Sequence, residues 1–303
     1  MTCIITVTNG DWQYLDEWIT YHHGIGVDMF LIGFNGNHDK FNELPQHDYV
    51  RYFDFGWSDL SVMNNVDRRE RRFGYGNGVR FMPDVFTALL NTAKNVFCTC
   101  NYAICIDSDE FITIQNNEDI NSFLDREFDK TKDFIHIGWK CYGNNGHIYN
   151  DGRPILERFD NPNIAFDPGH RSHLKYRKMV INLKHENFET DDIFMHSIHY
   201  LNKTLEYDKL FDIDKIYIKH FITKSLEEWI ARFDHYEYGE RIIRFKDEVL
   251  RQYVVQGRNE LTDEGLKTIP EFIKKYKIRY RPEIEEKDDN LRNRYIEVNN
   301  IQL

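Results

Sequence analysis

The sequence predicts an α/β protein built on a mostly parallel central sheet flanked by helices, and three observations carry that expectation. First, Tyr102-Ala103-Ile104-Cys105-Ile106 is an apolar run that stops at Asp107, Ser108, Asp109 and Glu110 and resumes at Phe111 and Ile112. A run this short, rich in β-branched and aromatic residues, reads as a buried strand rather than a helix. Second, Cys3 to Thr8, Trp12 to His23 and Met29 to Phe34 alternate as strand, helix and strand, the pattern of a βαβ unit. Third, the amphipathic stretch Phe81 to Phe97, with Pro83 placed for a helix start, leads directly into the central strand.

The elements follow in order. Asn9-Gly10-Asp11 supplies a turn with a helix cap, and Leu15, Trp18, Ile19 and His22 recur at helical spacing before Gly24 ends the helix. Asn35-Gly36-Asn37-His38-Asp39 is a polar loop, and Tyr49 to Phe53 is a third strand. The segment 54–78 is irregular and contains Arg68-Arg69-Glu70-Arg71-Arg72, which reads as a solvated face in preference to a phosphate clamp. Beyond the central strand, Asp119 to Phe128 is helical and Phe134 to Trp139 is a strand. The glycine- and asparagine-rich region 140–173 forms a long loop over the sheet. Strands return at Lys178 to Leu183, Ile193 to His199 and Ile216 to Ile222. Ser225 and Glu228 have the spacing of a capping box for a helix running to about Tyr238, and a second helix spans about Gly239 to Val254. From Gln256 onward the chain is charged and less periodic.

Composition narrows the function. A formal net charge of −11 argues against a general nucleic-acid binder, which needs a basic footprint for backbone phosphates. No stretch approaches the ~20 apolar residues of a membrane span. The expectation is a soluble, cytoplasmic protein, peripheral to a membrane at most. Cys3, Cys98, Cys100, Cys105 and Cys141 lack zinc-ligand spacing and read as free thiols.

The chemistry-bearing residues cluster at the central strand. In open α/β sheets ligands bind beyond the carboxyl ends of the strands, where Asp107 and Asp109 fall. On an extended segment residues i and i+2 point the same way, so both carboxylates can face one divalent cation while Glu110 points elsewhere. A polar turn or helix cap is the structural alternative.

Several separated segments resemble the family-92 glycosyltransferases and their bacterial and viral relatives. They are Leu15-Asp16-Glu17-Trp18-Ile19-x-Tyr21-His22, Gly26-Val27-Asp28-x-Phe30 and Ile106-Asp107-Ser108-Asp109-Glu110-Phe111. Trp139-x-x-Tyr142-Gly143-x-x-Gly146-His147, Glu157-Arg158-Phe159, Lys178-x-Val180 and His220-Phe221-x-Thr223-Lys224-Ser225-x-Glu227-Glu228-Trp229 continue the order. The resemblance implies a GT-A fold over residues 1–255, with a nucleotide-binding half at about 1–115, an acceptor-side half at 116–255 and a charged C-terminal extension at 256–303. It implies a hexosyl- or pentosyltransferase that moves sugar from a nucleotide-diphosphate donor to a glycan, glycoprotein or glycolipid acceptor with inversion, using Mn2+ or Mg2+.

Carried onto this sequence, Asp107, Asp109 and His220 are the metal ligands implied by the resemblance. Lys178 and Lys224 are candidates for the donor diphosphate. The chain has Thr8-Asn9-Gly10 where relatives carry Lys-Asn-Glu, so Asn9 is the retained donor-side member. Inversion needs a carboxylate to take the acceptor proton; Glu157 is the first candidate, followed by Asp191 and Asp192. Trp139, Tyr142 and His147 are the acceptor-side candidates. His170, His173, His196 and His199 occupy the same region of sequence without spelling out a second metal site. Two rivals are a haloacid-type phosphatase, whose Asp-x-Asp belongs on the first strand, and a GT-A-like protein that binds sugar or a partner without catalysis.

Overall fold

A computed structural model describes residues 1–8, 12–34, 38–54, 78–97, 99–160, 177–184, 193–194, 197–198, 210–231, 253 and 262–276. Asn9, Cys98, Asp191, Asp192, the arginine run at 68–72, His170, His173, His196, His199 and the expected helix at 239–254 lie outside them, apart from Tyr253. The chain divides into two compact units. Unit 1 comprises Met1–Lys140 with Pro168–His220, and unit 2 comprises Cys141–Asp167 with Phe221–Leu303.

Unit 1 opens with β1 (Thr2–Thr8), buried at every position. One face, Cys3, Ile5 and Val7, packs with Val85, Phe86, Leu89, Leu90 and Ala93 of helix α2 (Gly78–Asn95). Helix α2 starts three residues earlier than expected, which places Pro83 in its second turn rather than at its start. Helix α1 (Leu15–Gly24) follows a 3-10 turn at Trp12–Tyr14 and buries Leu15, Trp18, Ile19 and His22, the face its periodicity predicts. Gly26 then takes a φ of +97°, and a Cβ there would stand 1.8 Å from Asp119 Oδ2. Only glycine meets both constraints. Asp28 receives the Thr2 backbone N–H at 2.8 Å, tying the next strand, β2 (Met29–Phe34), to the start of β1.

The remaining strands are β3 (Val50–Asp54), β4 (Tyr102–Cys105), β5 (Glu110–Ile114), β6 (Phe134–Cys141), β7 (Arg177–Asn182) and, after the short β8 (Ile193–Phe194) and β9 (Ser197–Ile198) pair, β10 (Ile216–His220). Among the described residues eight strands form one sheet in the order β3-β2-β1-β4-β7-β6-β10-β5. The expected mostly parallel sheet is corrected to a mixed one. Pairing is parallel from β3 to β4 and antiparallel at β4–β7, β7–β6 and β10–β5. The parallel run breaks where β7 enters beside β4 with Met179 opposite Cys105. The long connection from β6 to β7 is ample for a parallel crossover, so chain length does not impose the direction and the side-by-side placement of these strands does. Only residues 106–109 separate β4 from β5. That link spans at most about 18 Å, while four strand spacings along a flat sheet need about 19 Å, so the sheet must curl to place β5 at its far edge.

As that edge strand, β5 has open backbone groups, and three side chains of α1 satisfy them. Trp18 Nε1 donates to Glu110 O at 2.8 Å, Tyr21 Oη donates to Ile112 O at 2.8 Å, and Ile112 N donates to His22 Nε2 at 3.1 Å. His22 Nδ1 therefore carries the proton and donates to Trp18 O at 2.8 Å. On the other flank, α3 (Ile120–Glu127) starts where expected, with Asp119 accepting from Ser122 N at 3.0 Å.

Unit 2 contains α4 (Ile155–Phe159), α5 (Leu226–Ala231) and α6 (Asp263–Lys275). The predicted capping box is present: Ser225 N donates to Glu228 Oε2 at 3.1 Å and Glu228 N donates to Ser225 Oγ at 3.2 Å. Helix α6 falls in the stretch read as aperiodic. Thr262 caps it, and Gly265, Thr268, Ile269 and Phe272 form its buried stripe. Pro270 inside the helix hid it from sequence reasoning; the carbonyl that loses its hydrogen bond belongs to exposed Leu266, where water can serve. Leu226, Trp229, Ile230, Tyr253, Ile269 and Phe272 make the core of this unit. Among the described residues no helix is long and apolar enough to cross a membrane.

Two stability tests follow. Burial lowers the His22 pKa to about 3 from an ordinary 6.5. Between those values the unfolded chain binds a proton that the folded chain refuses, so stability must fall as pH drops below 6.5, by up to about 1.4 kcal/mol per unit. His22→Gln should flatten that slope in urea titrations at pH 4 to 7. In unit 2, buried Arg158 is bidentate to Glu228 at 2.8 and 3.1 Å. Glu228→Ala should cost about 3 kcal/mol or more by removing the closest partner of that buried charge, measured from the denaturation midpoint, whereas Lys267→Ala, at an exposed position of α6, should cost less than about 0.5 kcal/mol.

Candidate functional site

The site grows from the strand order. β2 and β3 lie on one side of β1 and β4 lies on the other, so the order reverses between β1 and β4. The carboxyl ends of two parallel strands that diverge in this way leave a crevice for ligands. Asp107 follows β4 here, with Ile106 between it and the last strand residue. At the end of β1, the buried hydroxyls of Thr6 and Thr8 find no hydrogen-bond partner among the described residues. Sequence reading passed over both, because a threonine in a buried strand carries no signal until its neighbours are known.

Residues Asp107 to Glu110 form a closed turn rather than an extended segment. Glu110 N donates to Asp107 O at 3.1 Å, and Asp107 N donates to Glu110 Oε2 at 2.8 Å. The expectation that Glu110 points elsewhere is therefore corrected, since alternation of faces applies only to extended backbone. Glu110 is fully buried and faces inward with Asp107 and Asp109. The Asp107 side chain keeps 31% of its surface exposed and that of Asp109 only 5%.

The antiparallel strands bring the basic partners. Met179 of β7 pairs with Cys105, so Lys178 stands beyond the end of β4, and His220 of β10 pairs in register with Glu110. Lys178 is fully buried, with Nζ 2.6 Å from Asp107 Oδ2 and 3.4 Å from Glu110 Oε2. Its ammonium also lies 5.4 Å from the centre of the Trp139 ring. Burial alone pushes Lys178 down, but the Asp107 and Glu110 carboxylates outweigh it and the pKa is raised. Burial drives Glu110 well above the usual carboxylate range, with the Asp107 and Asp109 charges adding to the effect against Lys178. Burial also pushes the Cys105 thiol up to about 12, which leaves it inert.

Of the three metal ligands implied by the resemblance, the structure brings Asp109 and His220 side by side. His220 Nε2 is 3.6 Å from Asp109 Oδ1. That is too long for a hydrogen bond. Glu110 Oε1, buried and lacking a hydrogen-bond partner among the described residues, lies 3.9 Å from the same nitrogen. Asp107 departs from the set, its Oδ2 being held by Lys178. Among the described residues no three His, Cys, Asp or Glu side chains converge on one metal position.

The other candidates are placed as follows. Trp139 is buried with its ring 4.3 Å from that of His220. In unit 2, Tyr142 is buried 5.0 Å from Phe221, and half-buried His147 meets Phe159 edge-on at 5.4 Å. Glu157 is exposed on α4 and accepts from Arg153 at 3.2 Å. Lys224 is buried at a φ of +51°, a left-handed conformation uncommon for a long side chain, beside Thr223, whose buried Oγ1 has no hydrogen-bond partner among the described residues.

No protein-family model matches the chain, and no curated protein matches it. Among solved structures it is similar to the galactosyltransferase LgtC in complex with donor and acceptor sugar analogs, at 14% identity over 60% of this chain and 58% of that one, with a TM-score of 0.27. An active-site mutant of LgtC matches at 14% identity over 60% and 57% of the two chains, also with a TM-score of 0.27. The chain thus spans less than two thirds of the length of either.

Proposed function

We propose that this chain is a GT-A-type glycosyltransferase that takes sugar from a nucleotide-diphosphate donor and passes it, with inversion, to a hydroxyl on a glycan or other acceptor. The observation that carries the reading is the convergence of Asp107, Asp109, Glu110, Lys178 and His220 at the carboxyl end of β4, beside the reversal of strand order. The ordered blocks of resemblance supply the reaction class.

In that reaction the acceptor oxygen attacks the anomeric carbon. The bond from that carbon to the diphosphate oxygen breaks, its electron pair leaves with the diphosphate, and the hydroxyl proton passes to a carboxylate. Asp109 and His220, with Asp107, are assigned to a divalent cation, Mn2+ or Mg2+, which when bound neutralises charge on the departing diphosphate. Lys178 and Lys224 are assigned to the diphosphate, and Asn9 with the unpartnered Thr8 hydroxyl to the donor. Glu157 is assigned the base role ahead of Asp191 and Asp192. Trp139, Tyr142 and His147 are assigned to the acceptor side.

The deciding experiment is thermal unfolding with a panel of nucleoside diphosphates, with and without Mn2+, on the wild type and Asp109→Ala. One nucleotide at 100 times its Kd should raise the wild-type Tm by roughly 5 °C, and Asp109→Ala should lose the manganese-dependent part. Absence of any wild-type shift in Mn2+ sinks the reading in favour of a binding module. With the donor's nucleotide known, Glu157→Gln should leave that shift intact while slowing sugar transfer about 100-fold or more. Unchanged transfer would move the base role to Asp191 or Asp192.

A further inference from the structure

Cys3 and Cys100 meet at the amino ends of β1 and β4, away from the carboxylate turn that follows the far end of β4. Asn101 N donates to Met1 O at 2.8 Å, which joins the chain entering β4 to the start of β1. A turn in which Cys100 N donates to Phe97 O at 3.0 Å brings Cys100 back into the core cluster that holds Cys3, and the two thiols hydrogen-bond to each other. Cys105 belongs to the same cluster but stands opposite Ile5, two residues along from Cys3. Strand spacing and rise then separate the Cys3 and Cys105 Cα atoms by about 8 Å, beyond the ~7 Å that a disulfide bridges. The two paired thiols also differ. Cys3 is fully buried, whereas Cys100, at 4%, is next in the chain to exposed Thr99. The Cys3 S–H donates to the Cys100 sulfur, which lowers the Cys100 pKa; the same bond, with burial, raises that of Cys3. Cys100 is therefore the better nucleophile, and Cys3 is placed to follow it.

We propose that Cys3 and Cys100 form an oxidation site, which a low-molecular-weight disulfide of the glutathione type converts to an intramolecular disulfide. The Cys100 thiolate attacks one sulfur of the small disulfide, whose S–S bond breaks and releases one small thiolate. Cys3 then attacks the Cys100 sulfur of the mixed disulfide, its proton passing to the second small thiolate as that leaves. The two protein thiols are oxidised together, and one small disulfide is reduced to two thiols. The new bond closes a loop of about a hundred residues, the length at which a cross-link restrains the unfolded chain most. It ties β1 to β4 at the end remote from the carboxylates, and it forms whether or not the chain transfers sugar.

The test incubates the folded full chain with oxidised glutathione, alkylates the remaining thiols and maps the cross-linked peptides by mass spectrometry without reduction. The wild type should yield a Cys3–Cys100 linked peptide and an intact mass lower by two hydrogens. Its Tm should rise by about 5 °C or more, and dithiothreitol should reverse both changes. Cys3→Ala should stop at the mixed disulfide, with one glutathione on Cys100, whereas Cys100→Ala should leave Cys3 a free thiol. A bond from Cys100 to Cys98, a bond from Cys3 to Cys105, or a Cys3–Cys100 bond that appears only in urea would overturn the proposal. So would a native chain that keeps both thiols free, or glutathione held on Cys3 in Cys100→Ala. If a variant does not fold, the peptide map and Tm of the unaltered chain decide the matter.

Discussion

Unit 1 depends on how the free edge of β5 is closed. An edge strand leaves backbone donors and acceptors without partners, and buried ones must be satisfied. Among the described residues no further strand does so; Trp18, Tyr21 and His22, all on α1, bond to Glu110 O, Ile112 O and Ile112 N. The imidazole can serve only as a neutral tautomer that accepts at Nε2 and donates at Nδ1, and its burial enforces that state. Because Glu110 begins β5, the same bonds hold the backbone that closes the carboxylate turn. A helix near the start of the chain thus braces acids about ninety residues away.

The acids in turn set the electrostatics. Asp107, Asp109 and Glu110 are crowded into one turn, and such a cluster is stable only with positive charge or donors close by. Lys178 and the Asp107 backbone N–H supply part of this, with His220 across the β5–β10 pair. The antiparallel insertion of β7 beside β4 is what brings Lys178 there. A wholly parallel sheet would have put another strand's carboxyl end in that place and left the turn without its lysine.

Unit 2 rests on two buried glutamates adjacent in sequence. Glu228 closes the capping box with Ser225 and receives both terminal nitrogens of Arg158. Glu227 accepts from Asn150 N, Lys275 and Tyr276, tying α5 to α6. Burial alone would raise the Glu227 pKa, but these three bonds outweigh it and the carboxylate is held ionised. Much of the resemblance therefore has a structural cause: Gly26 for a close approach, Trp18, Tyr21 and His22 for an edge, Arg158 and Glu228 for a buried ion pair.

The sequence by itself determined what local physics controls. The α/β class, the buried face of α1, the strand that ends at Asp107, the Asp119 cap and the Ser225–Glu228 capping box all follow from spacing and side-chain chemistry within a few residues. Of the candidate site, the position of Asp107 and Asp109 just beyond a strand was legible. Only the tertiary structure decided the mixed pairing, because no local segment records that β7, far along the chain, enters the sheet antiparallel beside β4. It decided that Glu110 turns inward, since alternation holds for extended backbone and fails in a turn closed by the residue's own carboxylate. It also decided that Lys178 pairs with Asp107, an interaction between residues 71 positions apart that neither spacing nor composition encodes. Local periodicity specifies elements, whereas the charge balance of a buried site depends on which distant strands the sheet makes neighbours.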